Sequence, residues 1–216
     1  MQPQDRNKPT EDRWSQYRCP TGDLGRIVAA NMNKEHWDLT TWGLKHVNIK
    51  DDFVILDVGC GGGKTISRLA RRTNEGKVYG LDQSADMVDY SRQTNRKFIS
   101  KNRVEIAEGP IEKMGFKDEF FDLVTAVETY YFWPNLENAF REIKRILKKG
   151  GYLLIISEMI KDGAYEVENA EIIAKTQVRL VPLQEMQRLL RAAGYSTVKV
   201  YRKRKSKWNA ILAQKS

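Results

Sequence analysis

At 216 residues, the chain is long enough for one well-buried domain and leaves little room for an independent second one. With 41% hydrophobic and 30% charged residues it reads as an ordinary soluble globular protein, and two cysteines are too few for a disulfide framework. The formal charge of +9 raises the question of a nucleic-acid partner. Its excess gathers in two places, Lys199 with Arg202, Lys203, Arg204, Lys205 and Lys207, and Arg141 with Lys144, Arg145, Lys148 and Lys149. These read as a solvated hairpin tip and the wet face of an amphipathic helix, so nucleic acid is not the expected partner. No apolar run approaches the length of a membrane span and the N-terminus has no signal-like apolar segment, so a cytoplasmic location is expected.

In chain order, residues 1–22 lack hydrophobic periodicity and are expected to form a flexible arm, or an arm docked only at its end. The remainder, 23–216, is expected to be one domain with three parts: a helical cap over 23–48, a core over 49–160, and C-terminal helices with a strand hairpin over 161–216. In the cap, Leu24, Ile27, Val28, Met32, Trp37, Leu39, Trp42 and Val47 space as two short helices. Core packing accounts for either tryptophan alone; a cover over a bound ligand is the functional alternative.

The core opens with an apolar strand, Val54–Val58, followed by glycines and a helix over Thr65–Arg72. Lys77–Asp82 reads as a second strand ending in an acid, and Ser84–Asn95 as a helix with Ser84 as N-cap. Strands follow at Arg103–Ala107, Phe120–Val127 and Tyr152–Ser157, with a helix over Leu136–Leu147 closed by Lys148-Lys149-Gly150-Gly151. The whole suggests strict β-α alternation, the pattern of a Rossmann-like, mostly parallel sheet with helices on both faces. Helices over Ala164–Lys175 and Leu183–Ala193 then lead to two strands, Tyr195–Tyr201 and Lys207–Ala213, paired as an antiparallel hairpin.

A strand, a glycine turn and a helix N-terminus bring backbone N–H groups close to a ligand. A phosphate loop, G-x-x-x-x-G-K-S/T, fails because its first glycine falls on Val58. A dinucleotide fingerprint, G-x-G-x-x-G, matches at Gly59 and Gly61 and then meets Lys64. Asp82, about 20 residues further on at the end of the next strand, suits the two hydroxyls of a ribose and would repel a nearby phosphate. The third reading, a nucleoside without phosphate, is favoured, with the dinucleotide weakened by Lys64.

Four segments carry a family resemblance: ILDVGCGGG (55–63), VYGLDQSADMV (78–88), EGPIEKMGFKDEFFDLV (108–124) and REIKRILKKGGYLLI (141–155). In this order and spacing they resemble the class I S-adenosylmethionine-dependent methyltransferases, in particular the small-molecule branch of ubiquinone and menaquinone biosynthesis. The resemblance implies a seven-stranded sheet with an antiparallel last strand and S-adenosylmethionine as cofactor. It implies that Asp57, Gly59, Gly61 and Gly63 line the methionine end of the cofactor, that Asp82 holds the ribose, and that Gln83 and Met87 border the adenine. Where the family commonly reads G-D-A, this chain has Gly109-Pro110-Ile111. Pro110 cannot accept through a side chain, so adenine recognition would then fall to a backbone contact from Ile111 or to help from Glu112; Pro110, Ile111 and Val127 complete the expected cofactor-binding residues.

Displacement at a sulfonium requires a well-aimed nucleophile and no metal, so a metal site is not expected. The acceptor would be a small molecule beneath the cap, beside Glu128-Thr129-Tyr130-Tyr131-Phe132-Trp133-Pro134. Glu128, Tyr130, Tyr131 and His36 are the candidate catalytic residues; Glu158, after the fifth strand, is either a second orienting carboxylate or a surface acid. An RNA-directed methyltransferase using the basic surface and a non-catalytic S-adenosylmethionine-binding protein are the alternatives. The first would be expected to show an Asn/Asp-Pro-Pro-aromatic or Pro-Cys loop, the second a damaged glycine turn.

Overall fold

The computed structural model describes residues 14–159, 161, 165–176 and 178–216. Seven strands form a single sheet in the order β3-β2-β1-β4-β5-β7-β6: β1 Val54–Val58, β2 Lys77–Asp82, β3 Val104–Glu108, β4 Phe121–Val127, β5 Leu147–Ser157, β6 Tyr195–Arg202 and β7 Asn209–Lys215. All neighbouring pairs are parallel except those of β7, which runs antiparallel to both β5 and β6. This is the expected Rossmann-like sheet with a reversed last strand.

The α-helices of seven or more residues among the described residues are α1 Gly22–Glu35, α2 Trp37–Gly43, α3 Lys64–Ala70, α4 Ala85–Ile99, α5 Leu136–Ile146, α6 Glu166–Thr176 and α7 Leu183–Ala192. Ala164, the expected first residue of α6, lies outside the described residues. Ser84 caps α4 by accepting a hydrogen bond from Met87 N (3.3 Å), and Asn135 caps α5 by accepting from Asn138 N (3.0 Å).

The sheet is buried on both faces, as near-continuous apolar strands require. Leu56, Val124, Leu153 and Ile155 belong to a core shared with Phe140 and Ile143 of α5 and Leu190 of α7. Their neighbours Ile55, Leu123, Leu154 and Ile156 point the other way, into a core shared with Leu39 of α2, Ile66 of α3 and Val88 of α4. The period-two alternation of side chains along a strand separates these cores.

Two local expectations are corrected. Between β3 and β4 there is no helix: residues 109–120 cross as an irregular segment, in which Met114 N donates to Glu142 Oε1 (2.8 Å) and Arg145 donates to the carbonyls of Met114 and Phe116. Side chains of α5 thus satisfy backbone groups that a helix would have satisfied internally. The Lys148-Lys149-Gly150-Gly151 segment is not a helix-closing turn either. Strand β5 begins at Leu147, directly after α5, and its register against β4 jumps from Phe121↔Leu147 to Leu123↔Tyr152, with Gly150 at φ 76°.

The segment expected to be an arm over 1–22 is docked from Trp14 onward. Trp14 is buried, Ser84 Oγ donates to Pro20 O (2.6 Å), and Gly22 N donates to Asp86 Oδ2 (2.9 Å). These contacts hold the entry to α1 against the N-terminus of α4, beside the carboxyl end of β2.

Candidate active site

A cavity lies outside the carboxyl ends of β1, β2 and β4, where open α/β sheets bind ligands. Its floor is the turn after β1. Gly59, Gly61 and Gly63 have φ of 65°, 49° and 76°, left-handed values that residues with a Cβ rarely adopt. A Cβ on Gly59 would come within 2.2 Å of Thr129 Oγ1, and one on Gly63 within 2.2 Å of Ser91 Oγ. At Gly61 a Cβ would meet nothing within 4 Å, so that glycine presents bare backbone to the open cavity.

Asp82, at the end of β2, ties this floor together: Oδ2 accepts from Gly61 N (2.8 Å) and Oδ1 from Ser84 N (3.0 Å). Burial pushes its carboxyl above the usual carboxylate range, while the backbone N–H groups pull it back. Asp57 lies beneath, 2% exposed, its Oδ1 accepting from Thr125 Oγ1 (2.6 Å). Burial raises it to about 7, opposed by the Thr125 hydrogen bond and reinforced by the negative charge of Asp82. Because the folded state holds this proton more tightly than the unfolded chain, the contribution of Asp57 to stability is present at acid pH and is lost as pH rises through about 7. Asp57→Asn is therefore expected to gain in melting temperature relative to the wild type as pH rises from about 5 to 8, for the cofactor-free protein in thermal denaturation. Parallel curves for the two proteins would remove the assignment.

The roof comes from the N-terminal segment. Tyr17, Arg18 and Pro20, then Met32, Asn33, His36 and Trp37, line the cavity opposite the glycine turn. Arg68 of α3 stacks on Trp37, 3.5 Å from the ring centroid, and donates to Trp37 O (2.8 Å), fastening α2 to the core. Two polar atoms of the lining, Asn33 Nδ2 and Glu112 Oε1, are buried without a hydrogen-bond partner. Most buried polar atoms in native interiors are paired, so these two are open to a partner from the cavity.

At the far end, Glu128 follows β4 with φ 54° and a side chain only 7% exposed. Its Oε1 accepts from Glu158 N (2.6 Å) and its Oε2 from the Tyr131 hydroxyl (2.6 Å). His36 Nε2 lies 3.9 Å from Glu128 Oε2 and 4.0 Å from Glu158 Oε1. Burial raises the Glu128 carboxyl, while His36 acts to lower it.

Of the residues expected from the sequence, His36, Asp57, Gly59, Gly61, Asp82, Gln83, Ile111, Val127 and Glu128 lie together on the cavity wall. Gly63 is the N-cap of α3 and faces Ser91 and Asn95 of α4; Met87 is fully buried in the first turn of α4; Pro110 is exposed beside the wall residue Gly109. Tyr130 is turned inward, its hydroxyl donating to Met159 O (3.1 Å), and Tyr131 reaches the site through its hydrogen bond to Glu128. Sequence reasoning did not single out Tyr17, Arg18, Asn33 or Arg68. No local pattern distinguishes them, because they arrive through docking of separate segments.

Residues 56–155 match the family model described as a methyltransferase domain. The chain is 27% identical over 197 residues to a sterol 24-C-methyltransferase of Aspergillus fumigatus, covering 76% of this chain and 50% of that protein. It is 28% identical over 141 residues to a phthiotriol/phenolphthiotriol dimycocerosates methyltransferase of Mycobacterium ulcerans, covering 65% of this chain and 50% of that one. The chain thus spans about half the length of these curated relatives. Among solved structures, a chain of the complex between the Haloferax volcanii Trm112 methyltransferase activator and a methyltransferase superposes with a TM-score of 0.77 at 20% identity, over 96% of this chain and 98% of that chain. These similarities do not single out the ubiquinone and menaquinone branch. No helix among the described residues is long and apolar enough to cross a membrane. Glycine turn, strand order and matched region agree: residues 56–155 are similar to a methyltransferase domain, and they sit in a Rossmann-like seven-stranded sheet.

Proposed function

We propose that the protein transfers a methyl group from S-adenosylmethionine to a small-molecule acceptor by in-line displacement, the acceptor being held between the cap and the loop after β4. The observation that carries this reading is a single cavity with a nucleoside-type floor at one end and a buried carboxylate with a histidine at the other. The cofactor, when bound, supplies a methyl activated by positive sulfur. The lining fits it: Gly61 leaves room at the turn, Asp82 offers acceptors to a ribose diol, and Asn33 Nδ2 and Glu112 Oε1 are a donor and an acceptor awaiting partners. Gly59 and Asp57 shape the methionine end, and Gly63 and Met87 support the wall from behind.

The chain's remaining work is to aim the acceptor, and fixing a near-attack geometry supplies about 7–11 kcal/mol of the barrier. Glu128, with its proton affinity raised by burial, and His36 beside it are placed to orient an acceptor and to take a proton from one that arrives protonated. Tyr131 holds Glu128 in position, and Tyr130 braces the loop. Curated relatives named for sterol and phthiotriol substrates support a small-molecule acceptor over RNA.

The test is calorimetry with S-adenosylhomocysteine, followed by a labelled-methyl screen against metabolite extracts. Absence of cofactor binding would end the proposal. In the adenine subsite, Glu112→Ala is expected to weaken S-adenosylhomocysteine about tenfold, the loss of one hydrogen bond to a charged group. An unchanged affinity would return adenine recognition to the backbone at Ile111.

A further inference from the structure

We propose that His36, Glu128 and Glu158 form a binding site for one divalent first-row transition ion, with zinc or manganese the fitting type, at the acceptor end of the cavity. Three separate parts of the fold bring the donors together: the junction of α1 and α2, the residue after β4 and the residue after β5. One ligand atom from each lies within 4.8 Å of the other two, with His36 Nε2 at 3.9 Å from Glu128 Oε2 and 4.0 Å from Glu158 Oε1. Around an ion with bonds of about 2.1 Å, tetrahedral donors stand about 3.4 Å apart. Side-chain rotations of under about an ångström would close the set, with no change in the strands.

The two carboxylates are held by the sheet itself. β4 and β5 pair through Val127↔Ile156, Glu128 N donates to Ile156 O (2.9 Å), and Glu158 N donates to Glu128 Oε1. Tyr131 fixes the other oxygen of Glu128, the kind of outer hydrogen bond that orients a ligating carboxylate.

A second observation asks for a cation. Glu128 is a carboxyl 7% exposed with another carboxylate beside it, and among the described residues the imidazole of His36, itself one of the three donors, is the basic group within ion-pair distance of the two glutamates, with no lysine or arginine there. A buried acid in that position is costly unless paired or coordinated to a metal. One imidazole nitrogen with two carboxylate oxygens is a mixed donor set that suits zinc, iron or manganese better than the all-oxygen cages of calcium. His36 and Glu128 both line the cavity, so the ion's open positions would face the acceptor and could fix one of its oxygen or nitrogen lone pairs. The role in methyl transfer rests on the proposed function; the binding site itself does not.

The experiment titrates the cofactor-free protein with zinc by calorimetry and with cobalt(II) by visible absorption, alongside His36→Ala and the near-isosteric Glu158→Gln. One saturable equivalent is expected, with a cobalt spectrum of low coordination number and affinity weakened at least about tenfold in each variant. No saturable binding, or the same binding in both variants, would overturn the site; the acceptor's own ammonium as the missing cation is one way to that result. S-adenosylhomocysteine binding is measured on the same samples. Cofactor binding without metal binding would discard the ion and leave the methyltransferase reading standing, whereas loss of cofactor binding in the wild type would discard that reading alone.

Discussion

Asp82→Ala is expected to weaken S-adenosylhomocysteine by about 10²–10⁴-fold in calorimetry, the largest single loss in the cofactor site. Two hydroxyl donors on an ionised carboxylate contribute about 1.5–3 kcal/mol each, and each 1.4 kcal/mol is a factor of about ten. The carboxylate is held ready, because Gly61 N and Ser84 N already anchor its two oxygens and it is 9% exposed. The same substitution leaves Gly61 N without its acceptor, so a drop of about 1–3 kcal/mol in stability should accompany it. Asp82→Asn preserves shape and one acceptor, and should fall between the two. If the alanine variant bound cofactor within threefold of the wild type, Asp82 would be a turn anchor and no ribose ligand.

Glu128→Gln is expected to lower kcat by about 10²–10⁴-fold once an acceptor is in hand, with the Kd for S-adenosylhomocysteine unchanged. Glutamine fits the same envelope: its carbonyl can still accept from Glu158 N, and its amide can donate to the Tyr131 oxygen. What is removed is the negative charge and the ability to take a proton. Tyr131→Phe should give a smaller loss, since it frees one oxygen of the carboxylate without removing it. A Glu128→Gln enzyme with near wild-type turnover would show that positioning by the cap and aromatic loop suffices.

The cofactor end was legible in the sequence because its signals are local. The strand Val54–Val58, the spacing of Gly59, Gly61 and Gly63, and an acid at the end of the next strand all fall within 30 residues, and the structure gathers Asp57, Gly59, Gly61 and Asp82 around one cavity. Local pattern also misled where a short segment answers to distant partners. The turn-like Lys148-Lys149-Gly150-Gly151 is absorbed into β5 because β4 pairs with it at an interrupted register, and residues 109–120 forgo a helix because Glu142 and Arg145 satisfy their backbone.

The sequence by itself determined a mostly parallel sheet ending in a hairpin and a nucleoside-type glycine turn, since hydrophobic period and glycine spacing are written in consecutive residues; S-adenosylmethionine and the reversed last strand of seven came from the family resemblance. Only the tertiary structure decided which residues face the cavity. Gly63 packs against Ser91 and Asn95, Met87 and Tyr130 turn into the interior, and the docked segment around Tyr17, Arg18 and Asn33 roofs the cavity. His36 meets Glu128 and Glu158 across gaps of 92 and 122 positions, a convergence set by helix docking and strand pairing that no local periodicity encodes.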